Sequence, residues 1–250
     1  MIKISMTSYP KRITNVGKSI FAMLNKQTVK PDEIHIWLSV EEFPNKENDL
    51  PEDLVVITEM SNVYLHWLDK NIYVLKRHEI FKYTTNDDLV FFIDDDVYYS
   101  NKLIETCLTY HNKYKNAIIQ YNGYDCHHYR NDEILIDKHA TGGPWVNHVR
   151  WCGQSMIPAA IYPKVIFTDR FQNILKEVNS KSDEVILQPL LVYYDVPIFC
   201  CNLGWGTLIN KNLDWHSGHA PFNRRNIWLK HYLELAPELY EKYNKLFGYK

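Results

Sequence analysis

The segment from Leu89 to Ile93 is a continuous apolar run, and Asp94, Asp95 and Asp96 follow it directly. Apolar residues without alternation predict a strand that is buried on both faces, which is typical of a parallel sheet covered by helices. In such sheets, ligands bind outside the carboxyl ends of the strands. The segment therefore predicts an α/β fold with three carboxylates at the ligand-binding edge of its sheet.

The rest of the chain has the apolar spacing of further strands and helices. The predicted strands are 2–6, 33–38, 63–67, 117–121 and 196–201. The predicted helices are 13–24, 71–84, one that follows Ser100, one that starts at Asp183 after the cap residue Ser182, and two after residue 222 that are divided at Pro237. Residues 41–53 are polar and predict a loop. Neither a repeat nor a linker interrupts the pattern, so we expect one α/β domain with a mostly parallel central sheet.

Composition excludes several classes of protein. Apolar residues make up 46% of the chain, and 28 basic residues against 30 acidic ones give a net charge of −2. A disordered chain is excluded, and nucleic acid is not an expected partner because no basic surplus is available to bind its backbone.

The cysteines and the apolar runs indicate the compartment. Five cysteines form no CxxC pair, and Cys200 and Cys201 are adjacent, so a disulfide framework is not expected. The first residues do not have the layout of a signal peptide, and no apolar run is long enough to cross a bilayer. We therefore expect a cytoplasmic protein, and docking on the inner face of a membrane stays open.

Three consecutive carboxylates repel one another unless something neutralises them. A divalent cation can do so, and oxygen ligands suit Mg²⁺ or Mn²⁺, which also bind phosphate oxygens. The alternative is a solvated acidic turn that caps the next helix. The apolar run before the triplet and the aromatic pair Tyr98 and Tyr99 after it favour a metal or phosphate site.

The element Asp94-x-Asp96 after a buried strand resembles the DxD motif of GT-A glycosyltransferases. The segment 5–12, with Gln27, 31–34 and 37–39, is similar to bacterial polysaccharide glycosyltransferases of the capsule and lipopolysaccharide kind. This resemblance covers about residues 2–120. It implies a single GT-A-like, Rossmann-like domain over 1–250, in which residues 1–121 bind a nucleotide sugar and residues 122–250 face the acceptor and end in helices.

The resemblance also implies roles for the acidic triplet. Asp96 would bind the metal directly, Asp94 would contact the ribose or the metal's water shell, and Asp95 would assist on the sugar side. Lys76 and Arg77 precede this strand in a predicted helix. One of them could reach the diphosphate of the donor, and the alternative for each is a solvated helix face.

Residues after two other strands are implied to hold the nucleoside. Thr7, Ser8 and Tyr9 follow the first strand, where such folds hold the base and ribose, although Thr7 and Ser8 also suit a turn or helix cap. Asp69 follows the third strand, where these folds contact the base or ribose, and its alternative is a plain turn residue.

Inverting sugar transfer needs a base that deprotonates the acceptor hydroxyl. In GT-A enzymes of that kind an Asp or Glu at the start of a later helix often serves, and Asp183 and Glu184 fit this description. The alternative is that both acidic residues complement the helix dipole. A third metal ligand could come from His216 or His219, and the alternative for each is a surface histidine.

These observations predict a metal-dependent glycosyltransferase that uses Mn²⁺ or Mg²⁺ and a nucleotide-sugar donor, UDP-linked by preference. The expected acceptor is a glycan or lipid-linked glycan in bacterial surface polysaccharide synthesis. Two alternatives remain. A sugar nucleotidyltransferase usually has a glycine-rich phosphate loop, which the segment 7–12 lacks. A non-catalytic carbohydrate-binding protein on the same fold would tolerate replacement of the carboxylates.

Overall fold

The computed structural model describes residues 1–120, 126–130, 133–136, 145–146, 154–201, 207–209 and 222–247. Its strands are β1 (Ile2–Thr7), β2 (Glu33–Ser39), β3 (Val63–Leu68), β4 (Leu89–Phe92), β5 (Val97–Tyr98), β6 (Ile118–Gln120), β7 (Cys126–Arg130), β8 (Glu133–Ile136), β9 (Trp145–Val146), β10 (Ser155–Pro158), β11 (Ile198–Cys200) and β12 (Thr207–Leu208). Its α-helices are α1 (Ile13–Lys26), α2 (Glu52–Thr58), α3 (Leu103–Lys113), α4 (Asp169–Val178), α5 (Asp183–Tyr193), α6 (Phe222–Leu235) and α7 (Pro237–Phe247). 3₁₀ helices cover Lys46–Asp49, Tyr73–Tyr83, Ala159–Ile161 and Lys164–Phe167.

One sheet organises the molecule. Its eight strands lie in the order β3-β2-β1-β4-β10-β6-β11-β9. Six of them run in one direction, because β10 is antiparallel to β4 and β6 and β9 is antiparallel to β11. The expected mostly parallel α/β sheet is confirmed. Two small pairs, β5 with β12 and β7 with β8, stand beside it.

The direction of the strands brings separate segments to one edge. Strands β1, β2, β3 and β4 are mutually parallel, so they all end at the same side of the sheet. The residues that follow these strands therefore share the carboxyl edge. Among them are Ser8 after β1, Asp69 after β3 and the acidic triplet after β4.

Apolar side chains cover both faces of the sheet. On one face, Ile20 of α1 and Ile104 of α3 pack against residues of the central strands. On the other face, Phe171 of α4, Ile186 of α5 and Leu233 of α6 join a second cluster. Burial on both faces is the reason that the central strands are apolar without alternation. No helix in the described part of the chain has the length and apolar character needed to cross a membrane.

Several elements differ from the sequence expectation. The helix expected over 71–84 is a 3₁₀ helix, Tyr73–Tyr83. Three residues per turn align side chains at every third position, as in the buried row Leu75, His78 and Phe81. Lys76, Arg77 and Ile80 outside this row are buried as well. The expected loop 41–53 contains a 3₁₀ turn and the start of α2. The antiparallel strand β10 was not among the predicted strands.

Helix starts in the second half follow the sequence more closely. α5 begins at Asp183 and α7 at Pro237, as the sequence predicts. Ser182 occupies the N-cap position of α5, but its side chain makes no capping hydrogen bond.

The buried placement of β10 can be tested at Ile157, whose side chain is fully buried. Because Ile157→Ala leaves a cavity, we expect it to lower the free energy of unfolding by about 2–5 kcal/mol. The control Ile227→Ala lies at an exposed position of α6 and should change stability by about 0.5 kcal/mol or less. Urea denaturation measures both. Equal losses in the two variants would contradict the placement of β10 in the core.

Candidate active site

The acidic triplet is fixed at the carboxyl edge by backbone contacts. The Asp94 amide donates to the Tyr99 hydroxyl over 2.7 Å, and the Ser19 hydroxyl of α1 donates to the Asp94 carbonyl over 3.2 Å. The Ile209 amide donates to the Asp96 carbonyl over 2.8 Å. The triplet is therefore held between α1 and the segment that follows β12.

The loop between β1 and α1 contacts two of the three carboxylates. The Ser8 hydroxyl donates to Asp95 Oδ2 over 2.6 Å. Arg12 Nη1 lies 3.2 Å from Asp95 Oδ1 and 3.0 Å from Asp96 Oδ2. Burial would lower the pKa of Arg12, but Asp95 and Asp96 outweigh it and raise that pKa. Arg12 is thus a counterion shared by two carboxylates.

Arg77 of the 3₁₀ helix connects the triplet to α5. Its Nη1 lies 3.1 Å from Asp94 Oδ1, and its Nε and Nη2 donate to Asp183 Oδ2 over 3.2 and 2.7 Å. His78 Nε2 lies 3.1 Å from the same Asp183 oxygen. Asp94 and Asp183 are 89 positions apart in the sequence, and one buried guanidinium holds them together.

Negative charge exceeds positive charge in this network. Among the described residues, its carboxylates are Glu42, Asp94, Asp95, Asp96 and Asp183, and its cations are Arg12, Lys76 and Arg77. Burial raises the pKa of Asp94 to about 7 and that of Asp95 to about 6, and neighbouring carboxylates add to both shifts. The arginines therefore neutralise part of the charge of the triplet. The sequence alone predicts a metal ion in this role.

The described residues provide an incomplete set of metal ligands. No group of three His, Cys, Asp or Glu side chains within them could hold a metal ion. Asp94 and Asp96 still suit Mg²⁺ or Mn²⁺, because such ions are usually held by one or two carboxylates together with substrate phosphates. The predicted ligands His216 and His219 lie outside the described residues. They follow Ile209 in the sequence, whose amide contacts Asp96.

The residues predicted to hold the nucleoside lie at the same edge. Thr7 Oγ1 donates to the Trp37 carbonyl over 2.8 Å, so this hydroxyl connects β1 to β2. Tyr9 is half-buried, with the Arg12 guanidinium 5.6 Å from the centre of its ring. Asp69 is exposed just after β3.

Lys76 and Arg77 are both buried, so the alternative of a solvated helix face is wrong for each. Lys76 Nζ pairs with Glu42 and donates to the Ser8 carbonyl over 3.3 Å. Burial lowers the pKa of Lys76, and Glu42 opposes this effect. Lys76 therefore connects the loop after β1 to Glu42, which follows β2.

The two candidate bases have different surroundings. Asp183 is buried, and all of its described contacts go to Oδ2, so Oδ1 is the oxygen that could accept a proton. Burial alone would raise the pKa of Asp183, but Arg77 and His78 outweigh it and hold the pKa at about 2. Glu184 is half-buried on α5 and pairs with Arg225 over 2.6 Å. Only Asp183 joins the network of the acidic triplet.

Sequence reasoning missed the roles of Arg12 and His78. Arg12 occurs in the segment that carries the family resemblance, but its contact with the triplet spans 83 positions and depends on the fold. His78 lies between Leu75 and Phe81 in one row of the 3₁₀ helix, and the run of three basic residues at 76–78 was the available signal.

Solved structures with a similar fold were found, although no protein-family model matches the chain and no curated protein matches its sequence. One is S. aureus TarS 1–349 in complex with UDP-GlcNAc, with 12% identity, a TM-score of 0.50, and coverage of 98% of this chain and 73% of that chain. The chain has a GT-A-like fold. The complex of TarS 1–349 with UDP has 12% identity and a TM-score of 0.47, and 82% of this chain aligns with 59% of that one.

The contacts of Asp183 with Arg77 and His78 predict that replacing this carboxylate lowers the free energy of unfolding by a large amount. Asp183→Asn removes the buried carboxylate that contacts two nitrogens of Arg77, so we expect the free energy of unfolding to fall by about 3–5 kcal/mol near neutral pH. Because folding lowers the pKa of Asp183 from 3.8 to about 2, its contribution is present above about pH 4 and is lost as the pH falls toward 2. The gap between wild type and variant should therefore narrow in acid.

Urea titrations of both proteins from neutral pH down to about pH 2.5 test this prediction. The matched control is Glu184→Gln, which breaks the more accessible pair with Arg225 and should cost about 1 kcal/mol or less. A gap that stays constant with pH would contradict the ion pair with Arg77.

Proposed function

We propose that this protein is a metal-dependent glycosyltransferase that transfers a sugar from a UDP-linked donor to a glycan or lipid-linked glycan acceptor. The GT-A-like fold supports this proposal, and the complex of TarS with UDP-GlcNAc supports UDP as the nucleotide. The setting that we propose is bacterial surface polysaccharide synthesis in the cytoplasm, at the inner face of the membrane. Residues 1–121 would form the donor-binding half and residues 122–250 the acceptor-facing half.

The single observation that carries the proposal is the network in which Arg77 joins Asp94 to Asp183. Sugar transfer needs two acidic functions close together, one that holds the donor's diphosphate through a cation and one that receives the acceptor's proton. Asp94 belongs to the triplet suited to the first, and Asp183 at the start of α5 suits the second. Both lie at the carboxyl edge, where ligands of α/β sheets bind.

The excess of carboxylates supports a cation at the triplet. A nucleoside diphosphate is itself anionic, and its approach to a net negative cluster would be repelled without an additional positive charge. Asp94 and Asp96 would hold Mn²⁺ or Mg²⁺, with His216 or His219 as a candidate third ligand. The metal would stabilise the leaving nucleoside diphosphate as a Lewis acid.

The protein's own residues would position the donor and the acceptor. Thr7, Tyr9 and Asp69 line the edge where the base and ribose would lie. The Ser8 hydroxyl holds Asp95 in place on the sugar side. Asp183 would accept the acceptor's proton at Oδ1, while Arg77 and His78 fix its other oxygen. A base at this position favours an inverting reaction.

Nucleotide binding is the first test. A ligand that binds only the folded state stabilises it by mass action and so raises the melting temperature. At a ligand concentration of 100 times the Kd, the free energy of unfolding increases by about 2.7 kcal/mol. We expect UDP with Mn²⁺ to raise the melting temperature, and Asp96→Asn to abolish the increase. Differential scanning fluorimetry with UDP, GDP, CDP and dTDP, each with and without Mn²⁺, measures this.

The matched control is Asp87→Asn. Asp87 is exposed and precedes β4, at the opposite end of the strand from the triplet, so this variant should respond to UDP as wild type does. If no nucleotide raises the melting temperature of wild type with any divalent metal, the donor assignment is wrong. The non-catalytic alternative would then gain support.

Turnover tests the base. We expect Asp183→Asn to slow sugar release from UDP-GlcNAc or transfer to an acceptor by about 10²-fold or more, since a general base typically contributes 10²–10⁴-fold. The UDP-dependent increase in melting temperature should survive in this variant, which separates loss of chemistry from loss of donor binding. If Glu184→Gln loses turnover and Asp183→Asn keeps it, Glu184 is the base instead.

A further inference from the structure

Arg12 makes an incomplete set of contacts. Its Nη1 alone contacts both Asp95 and Asp96, over 3.2 and 3.0 Å. Its Nε is buried, and no described residue accepts a hydrogen bond from it. A guanidinium normally binds a carboxylate through two parallel N–H donors, and a buried donor without a partner is costly. Arg12 is therefore held by charge and gains little from hydrogen-bond geometry.

Arg77 provides the contrast within the same network. Its Nε, Nη1 and Nη2 all contact carboxylates, and its guanidinium lies 4.9 Å from the centre of the Phe92 ring. Only 5% of its side chain is exposed, against 14% for Arg12. Arg77 thus contacts carboxylates through three nitrogens, whereas Arg12 contacts them through one and otherwise lies 5.6 Å from the centre of the Tyr9 ring.

We propose that Arg12 is an internal cation that competes with the divalent metal for the Asp96 carboxylate and thereby sets the metal affinity of the protein. This inference rests on the proposed function, because it takes the triplet as the metal site. It assigns to Arg12 a role in cation binding that is separate from the ligands themselves. Metal binding and donor binding become coupled through the same side chain.

Electrostatics gives the direction of the effect. A divalent cation at Asp96 would lie close to the guanidinium of Arg12, and two positive charges that share one carboxylate repel each other. Arg12 must therefore leave Asp96, or the cation binds weakly. When Arg12 leaves, its Nε and both terminal nitrogens can donate to other acceptors, and phosphate oxygens match the planar fork of a guanidinium.

The local backbone allows this change without refolding. The Arg12 and Ile13 amides both donate to the Tyr9 carbonyl, over 2.9 and 3.0 Å, and this turn holds the start of α1. The Ser8 hydroxyl remains on Asp95 Oδ2, so Asp95 keeps a partner when Arg12 moves. None of these hydrogen bonds involves the Arg12 guanidinium, so they can persist when it changes partners.

The test is a titration of Mn²⁺ into the full chain at about pH 8, where free carboxylates are ionised, without nucleotide. The signal of free Mn²⁺ in electron paramagnetic resonance gives the dissociation constant. We expect Arg12→Gln to bind Mn²⁺ about tenfold more tightly than wild type, because a competing charge has been removed. Arg12→Lys retains the charge and should remain within a few-fold of wild type.

Arg170→Gln is the matched control. Arg170 pairs with Glu238 between α4 and α7 and is exposed, so the same substitution there should leave the Mn²⁺ affinity unchanged. A lower Mn²⁺ dissociation constant in Arg12→Gln, with no change in Arg170→Gln, supports the competition between Arg12 and the metal. An affinity that equals or falls below that of wild type overturns it.

A second measurement uses the wild-type chain and does not depend on the folding of a variant. Arginine Nε–H signals in nuclear magnetic resonance can be followed while Mg²⁺ and UDP are added. We expect the Arg12 signal to shift more than the Arg77 signal, because the Arg77 Nε stays hydrogen-bonded to Asp183. An Arg12 signal that does not respond while the metal binds overturns the proposal.

Two failures can be told apart. If wild type and Arg12→Gln both fail to bind Mn²⁺ even with UDP present, the metal-dependent function is wrong and the inference falls with it. If wild type binds Mn²⁺ in the presence of UDP, but removal of Arg12 does not tighten metal binding, only the competition is wrong.

Discussion

Negative charge at the carboxyl edge of the sheet is the constraint on which the site depends. Parallel strands bring Ser8, Asp69 and the acidic triplet to one edge, and α5 adds Asp183 to it. Carboxylates this close are expensive to ionise, as the raised pKa values of Asp94 and Asp95 indicate. Three cations offset this cost. Buried Arg77 pairs with Asp94, buried Lys76 pairs with Glu42, and Arg12 from the loop after β1 pairs with Asp95. The local geometry of the site follows from these ion pairs.

The three cations differ in what they can do. Arg77 and Lys76 are enclosed by several partners each, so they act as fixed parts of the scaffold that hold α5 and the loop after β1 against the sheet. Arg12 stands at the start of α1, and a single nitrogen of its guanidinium contacts Asp95 and Asp96. Both kinds of cation have a use in the function that we propose. Fixed charges keep the carboxylates in position, and a releasable one lets the charge balance change when a ligand arrives.

The sequence predicts what depends on local pattern. The strand before Asp94 and the position of the triplet could be predicted, because a buried parallel strand is apolar throughout and its carboxyl end faces the ligand. The start of α5 at Asp183 was likewise visible. The contacts of Arg77 with Asp183 and of Arg12 with Asp95 span 106 and 83 positions, and no periodicity encodes them. The 3₁₀ helix was predicted as an ordinary helix. Solvent exposure was the alternative for its basic residues, and their burial could not be predicted because it depends on acidic partners elsewhere in the chain.

The likeness to TarS and the charge of the site answer different questions. At 12% identity, a shared fold says how the backbone runs and leaves the chemistry open. The described network keeps five carboxylates beside three cations, although a purely structural cluster would gain stability from matched charges. Excess buried charge is characteristic of a functional site, where the missing counter-charge arrives with the ligand. For an anionic nucleotide, that counter-charge would have to be a cation that binds with it, and this is the reason that we propose metal-dependent sugar transfer on this fold.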